Sequence, residues 1–89
     1  FWRPSAIVSY SAGRSGGIRA AVQLRTMLAE LGMPSIPAVL SFGRVQDQFD
    51  ENGAPQDDGS HVRRTGRFLD ELEWYAAALR RQRDAGTPY

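Results

Sequence analysis

Nine consecutive residues, Ser9-Tyr10-Ser11-Ala12-Gly13-Arg14-Ser15-Gly16-Gly17, form the stretch of this chain best equipped for chemistry. They lie between an apolar run, Ala6-Ile7-Val8, and a helical pattern that begins at Ile18. Glycine tolerates positive φ and puts no Cβ between a peptide amide and a ligand. Amides from Gly16 to Arg19 would open the following helix and turn its positive end toward electron-rich atoms. The hydroxyls of Ser9, Tyr10 and Ser11 can add donors and acceptors. The chemistry on offer is the holding of a phosphate or of the edge of a planar, carbonyl-rich ring. The glycines space as G-x-x-G-G, which is neither G-x-G-x-x-G nor G-x-x-x-x-G-K-[ST]. Spacing alone therefore leaves two readings open, a ligand cradle and a purely structural turn.

Other candidates carry less. Arg14 lies inside the loop and could meet a dinucleotide phosphate, with a solvated loop arginine as the plainer reading. Arg19, in the first helical turn, is expected to fix local structure. His61 is the only histidine, so a histidine-based metal site or catalytic triad has nothing to build on, and an exposed position at a helix start is expected. The acidic run Asp47-Gln48-Phe49-Asp50-Glu51-Asn52-Gly53 through Asp57-Asp58-Gly59 invites a calcium reading. Aligning Gly53 with the sixth position of an EF-hand loop puts Gln48 first and Gly59 twelfth, where acids are required, so that reading is rejected. No side chain is assigned a catalytic role.

The elements that must position the loop follow from periodicity. Ser5–Ser11 reads as a buried strand of the kind found in parallel sheets. Ile18–Leu31 has helical spacing, with Ile18, Ala21, Val22, Leu24, Leu28 and Leu31 on one broad arc. Gly32 stands where a helix C-terminal glycine belongs, and Pro34 prevents continuation. Ser35–Phe42 reads as a second strand whose Pro37 points to a sheet edge or strand end. Residues 43–59 form a long turn-rich connection with a tight turn at Asn52-Gly53. From about His61 to Asp84 a helix of roughly 35 Å is expected, with Val62, Thr65, Leu69, Leu72, Ala76 and Leu79 as its apolar seam and Phe68 and Tyr75 beside it. Arg67 and Glu71 are placed to pair on its surface. Gly86 and Pro88 end it. Strand, helix and strand in that order imply a right-handed parallel crossover.

Composition sets limits on function. The chain has 89 residues, 42% hydrophobic and 24% charged, which fits one small globular domain. Its 11 basic residues are all arginine and offset 10 acids, with no basic block for nucleic acid. No apolar run approaches the ~18 residues needed to cross a bilayer. There is no cysteine, which excludes disulfides and thiolate metal sites and is compatible with a cytoplasmic location. The first residue is Phe1 rather than Met, and two strands are too few for a covered parallel sheet, so further strands are expected on the N-terminal side.

Three segments, "SAIVSYSAGRSGGIRAAVQLRTMLAELGMPSIP", "FDENGAP" and "RFLDELEWYAAAL", together resemble the C-terminal half of the NADPH-dependent FMN reductase family. "GGIRAA" and "LGMPSIP" are the most specific parts, and the resemblance covers nearly the whole chain. It implies an α/β fold, a partial flavodoxin-like parallel sheet in the order strand-helix-strand-loop-helix, with the N-terminal strands lacking. Residues 1–89 are then the C-terminal portion of one flavodoxin-like NAD(P)H:FMN reductase domain. In that family the loop after the fourth strand meets the pyrimidine edge of the flavin with backbone amides, and the matching positions here are Ser9, Tyr10, Ser11, Ala12, Gly13, Arg14, Ser15, Gly16 and Gly17. The resemblance implies FMN and NADPH (or NADH) as cofactors, hydride transfer through FMN N5, and a small quinone-like electron acceptor. It also implies a homodimer or homotetramer, and it implies neither nucleic acid nor membrane as partner.

Departures from the family pattern are as informative. The G-S-x-R-like phosphate loop and a second flavin loop have no counterpart in these residues, so weak flavin binding is expected of them alone. A serine, Ser15, stands where the family tends to carry an aromatic. Two alternatives remain beside the reductase reading: a non-catalytic flavodoxin-like module that associates through the face bearing Trp74, and a flavodoxin-type electron carrier. Trp74 shares a helix face with Arg67, Asp70 and Arg81, which allows either arginine stacking or a protein contact. Arg25 falls inside the apolar arc of the first helix, and either snorkels or meets a carboxylate across a subunit interface.

Overall fold

In the computed structural model, which describes residues 1–57 and 59–89, the order is β1 (Ser5–Tyr10), α1 (Ile18–Glu30), β2 (Ser35–Phe42), a 3₁₀ turn at Val45–Asp47 and α2 (Ser60–Ala85). Asp58, the one member of the acidic run outside those ranges, lies outside the described residues. The strands pair in parallel, with Ile7 beside Val39 and Tyr10 beside Phe42. The fold is α/β, a two-stranded parallel sheet with two helices, as a partial flavodoxin-like sheet requires. No helix among the described residues is long and apolar enough to cross a membrane.

The stop after α1 forms as its residues dictate. Gly32 takes φ 72°, its amide donates to Ala29, and the Met33 amide reaches back to Leu28, which together satisfy the last carbonyls of the helix. Between Ser5/Ser35 and Ile7/Val39 the register shifts: one residue of β1 faces three of β2. Pro37, which has no amide to offer a ladder, sits in that bulge. Arg25 crosses from α1 to the same place, donating to Ile36 O at 2.9 Å and Pro37 O at 3.2 Å. Arg25 thus reaches past its apolar arc to polar atoms, as snorkelling expects, and within this chain its guanidinium meets carbonyls of the bulge.

The core lies between β2 and α2. Ile36, Leu40 and Phe68 are buried, with Ala6, Ala38, Phe42, Leu72 and Tyr75 packed against them. The buried stripe of α2 is therefore rotated from the expected seam. Phe68 is central, while Val62 and Leu69 stay exposed. The arc of α1 is likewise buried fully only at Ala21, with Ile18, Val22, Leu24 and Leu31 exposed. Both departures have one cause. Two strands at roughly 4.8 Å spacing make a floor about as wide as one helix, so each apolar arc overhangs it. On the α2 side of β1, Val8 and Tyr10 are 57% and 71% exposed.

At the far end of α2, Arg83 donates to Trp2 O at 2.8 Å, and the rings of Phe1, Trp2 and Tyr89 meet edge to face. Trp74 is exposed, and its ring partner is Tyr75 at 5.2 Å rather than an arginine. Arg67 and Glu71 form no ion pair among the described residues.

Candidate functional site

The loop between β1 and α1 is gripped on one side by the turn that follows β2. Ser11 O accepts from the Val45 amide at 3.0 Å, Ala12 O from Gln46 Nε2 at 3.2 Å, and Gly13 O from the Arg44 amide at 2.7 Å. Arg14 O packs so close to Gly43 that a Cβ there would stand 2.2 Å from it. Four successive carbonyls thus face the β2 turn. The peptide bonds of the described residues are all trans, and a trans unit points its N–H opposite to its C=O. The amides of Ala12, Gly13, Arg14 and Ser15 are therefore directed away from that turn. Among the described residues no backbone carbonyl takes the amides of Ala12 through Gly17, whereas Ser11 donates to Phe42 O and Ile18 to Ser15 O. Successive outward amides of this kind make an anion-binding concavity.

The glycines divide by what they do. Gly16 has φ 66°, and a Cβ on it would lie 3.0 Å from the Gly43 nitrogen; Gly17 has φ 77°, with Ser9 Cβ and Tyr10 O at 3.3 Å. Both positions need glycine for the fold itself. Around Gly13 a Cβ would meet nothing within 4 Å, so local packing leaves that residue unexplained and its outer face open. Ser9 Oγ bonds Ser41 Oγ at 2.8 Å, and Ser11 Oγ donates to Gly13 O at 3.0 Å. Tyr10, Ala12, Arg14 and Ser15 are exposed. The structure turns the backbone amides of Ala12–Ser15 away from the β2 turn, packs Gly16 and Gly17 against β1 and the β2 end, and turns the two serine hydroxyls to internal work. Residues 1–29 carry four arginines and no carboxylate, and the turn that grips the loop adds the Arg44–Asp47 ion pair.

Sequence reasoning missed Gly43, Arg44, Val45 and Gln46. A glycine directly after a strand was the only local sign of them. His61 is a further correction. It is buried at 8% exposure, not exposed, and its ring stacks on Phe49 and meets Phe42 edge-on. Nε2 lies 2.7 Å from Gln48 Oε1, and Nδ1 lies 3.4 Å from Arg64 Nη1. The tautomer protonated on Nε2 satisfies both contacts. Thus His61 anchors the 43–59 connection.

The acids of that connection hold backbone. Asp50 Oδ1 accepts from the Asn52 and Ala54 amides, closing the turn at Gly53. Asp57 accepts from the His61 amide at 2.7 Å, from the Gly59 amide at 3.0 Å and from Ser60 Oγ at 2.9 Å, capping α2. The His61 amide bond is the largest influence holding the Asp57 carboxyl below its ordinary range, and partial burial opposes it.

Among curated proteins and among solved structures, nothing matches this chain. Residues 1–47 match a protein family described as NADPH-dependent FMN reductase. That span contains β1, the glycine loop, α1, β2 and the turn from Gly43 that grips the loop. It covers 47 of the 89 residues, more than half of the chain, and the chain belongs to the NADPH-dependent FMN reductase family.

Proposed function

We propose that the chain is the C-terminal portion, residues 1–89, of a flavodoxin-like domain that works as an FMN-dependent NAD(P)H oxidoreductase toward a small quinone-like acceptor. The observation that carries this reading is the row of outward amides from Ala12 to Ser15, held by carbonyls tied to the β2 turn. Such a row fits the N1–C2=O edge of a flavin ring, and the open face at Gly13 leaves room for a flat ring to approach. FMN, when bound, accepts hydride from NAD(P)H at N5 and supplies two electrons to the acceptor. The chain's own part is to bind and orient: amide dipoles of Ala12–Ser15 favour electron density at the ring edge, Arg14 adds positive charge, and Tyr10 offers a hydroxyl beside the row. No side chain here acts as acid or base.

The incompleteness of the sheet supports the partial-domain reading. The radius of gyration is 15.4 Å, against about 12 Å for a compact domain of this length. Val8, Tyr10, Val62 and Leu69 leave apolar surface on the α2 side, where further elements of one domain would pack. Ile18 and Val22, exposed on one face of α1, offer a surface for homo-oligomer contact.

The test titrates FMN into the protein with all strands of the domain in place and follows the visible flavin band during addition of NADPH. Saturable binding and bleaching by NADPH are expected. Gly13→Val should weaken FMN by about tenfold, the equivalent of ~1.4 kcal/mol, without a change in unfolding midpoint. A bound flavin that NADPH leaves unbleached would replace the reductase with an electron carrier. Absence of flavin binding would remove both.

A further inference from the structure

The two edges of the sheet are not alike. The Phe42 carbonyl accepts from the Ser11 amide across the strand pair, so in the alternating geometry of an extended strand the Ser41 carbonyl faces the other way, toward the outer edge of β2. There it accepts from Arg64 Nη2 at 2.8 Å. Arg64 is held in place, with its guanidinium 5.5 Å from the centre of the Phe42 ring and 3.4 Å from His61 Nδ1. At the other end of the strand, Pro37 has no amide, and Arg25 occupies the carbonyls of Ile36 and Pro37. Between them, the same alternation turns the N–H and C=O of Val39 to the side away from β1. On β1 the outward residues are Ala6, Val8 and Tyr10, and Ser5–Tyr10 contains neither proline nor charge.

A bare edge strand is a template for pairing with another chain, and prolines, bulges and charged side chains are what blunt it. We propose that Pro37, Arg25 and Arg64 close the outer edge of β2 to strand addition, and that the occupant they exclude is a second copy of this chain paired antiparallel through β2. Such self-pairing would centre on Val39, whose copies would face one another with Cα atoms about 5.5 Å apart. An incoming strand would have to strip Arg64 from Ser41 O and would find no donor at Pro37.

The chain has no cysteine, so a single thiol introduced by Val39→Cys reports on this edge alone. The Cα separation of the paired state lies within disulfide reach. In a Pro37→Val/Arg64→Met background, oxidative dimer formation at position 39 should rise about tenfold over the guarded chain. A thiol introduced by Val8→Cys, on the other edge, should cross-link to the same extent in both backgrounds. Pro37→Val alone, which keeps both arginines, should give a smaller rise and carries the test if the double variant does not fold. Equal cross-linking at position 39 with and without the guards overturns the proposal. A matching rise at position 8 also overturns it, because that marks general association rather than an opened edge.

Discussion

Gly43→Ala is the substitution that most directly joins fold to site. A Cβ at this position would lie 2.2 Å from Arg14 O and 2.9 Å from Arg14 C, both backbone atoms that cannot swing aside. Relief beyond 3.0 Å requires the β1–α1 loop and the β2 turn to separate by close to 1 Å. That movement breaks the 2.7 Å bond from the Arg44 amide to Gly13 O and strains the neighbouring bond from Val45 to Ser11 O. Overpacking contributes about 1–3 kcal/mol, and each weakened hydrogen bond about 1 kcal/mol. The total is about 4 kcal/mol, or a fall in Tm of roughly 25 °C for a chain of this size. Urea titration followed by far-ultraviolet circular dichroism measures it, and FMN affinity in the whole domain should fall in the same variant. A loss of stability below about 0.5 kcal/mol, within the range of an ordinary surface substitution, would refute the claim that these two loops grip one another.

Arg25→Met keeps the aliphatic stem and removes the donors to Ile36 O and Pro37 O; about 2 kcal/mol should be lost, by the same amount at every protein concentration, in urea titrations. A concentration-dependent loss would instead place a carboxylate of another subunit on Arg25. Asp57 has a folded-state pKa below its ordinary value of 3.8, so its contribution to stability is full above that value and is lost as pH falls through the lower folded value. Asp57→Asn should therefore be less stable than the parent near neutrality, with the gap closing below pH 3.8 in acid-limb unfolding curves. Gly66→Ala should raise stability by about 0.5–1 kcal/mol in thermal melts, since this position lies within α2 and an added Cβ would meet nothing within 4 Å.

Local signals in the sequence were enough for the elements. The apolar run Ala6-Ile7-Val8, the glycine and proline after α1 and the turn at Asn52-Gly53 act over a few residues, and the structure places strand, helix ends and turn there. What could not be read depends on partners distant in the chain. Gly43 owes its identity to Arg14, and Arg25 owes its partners to a bulge that only strand pairing creates. His61 reads as a surface residue until Phe42, Phe49 and Gln48 close around it. The apolar arcs were legible as arcs, but which half is covered depends on the width of the sheet, and a hydrophobic pattern carries no record of that width.

The glycine loop illustrates how a fold and a site can share residues without sharing reasons. Gly16 and Gly17 are required by close approach to Gly43 and Ser9, and would be required in a protein that bound nothing. What the structure adds is direction. Four carbonyls turned toward the β2 turn leave the amides between Ala12 and Ser15 pointing outward, and water satisfies them cheaply because the loop is exposed. A ligand that replaces that water meets donors already fixed in place, so little of its binding energy goes to ordering the loop. The grip of the β2 turn thus fixes the direction of the loop amides, and the family match spans both the glycine loop and the residues that hold it.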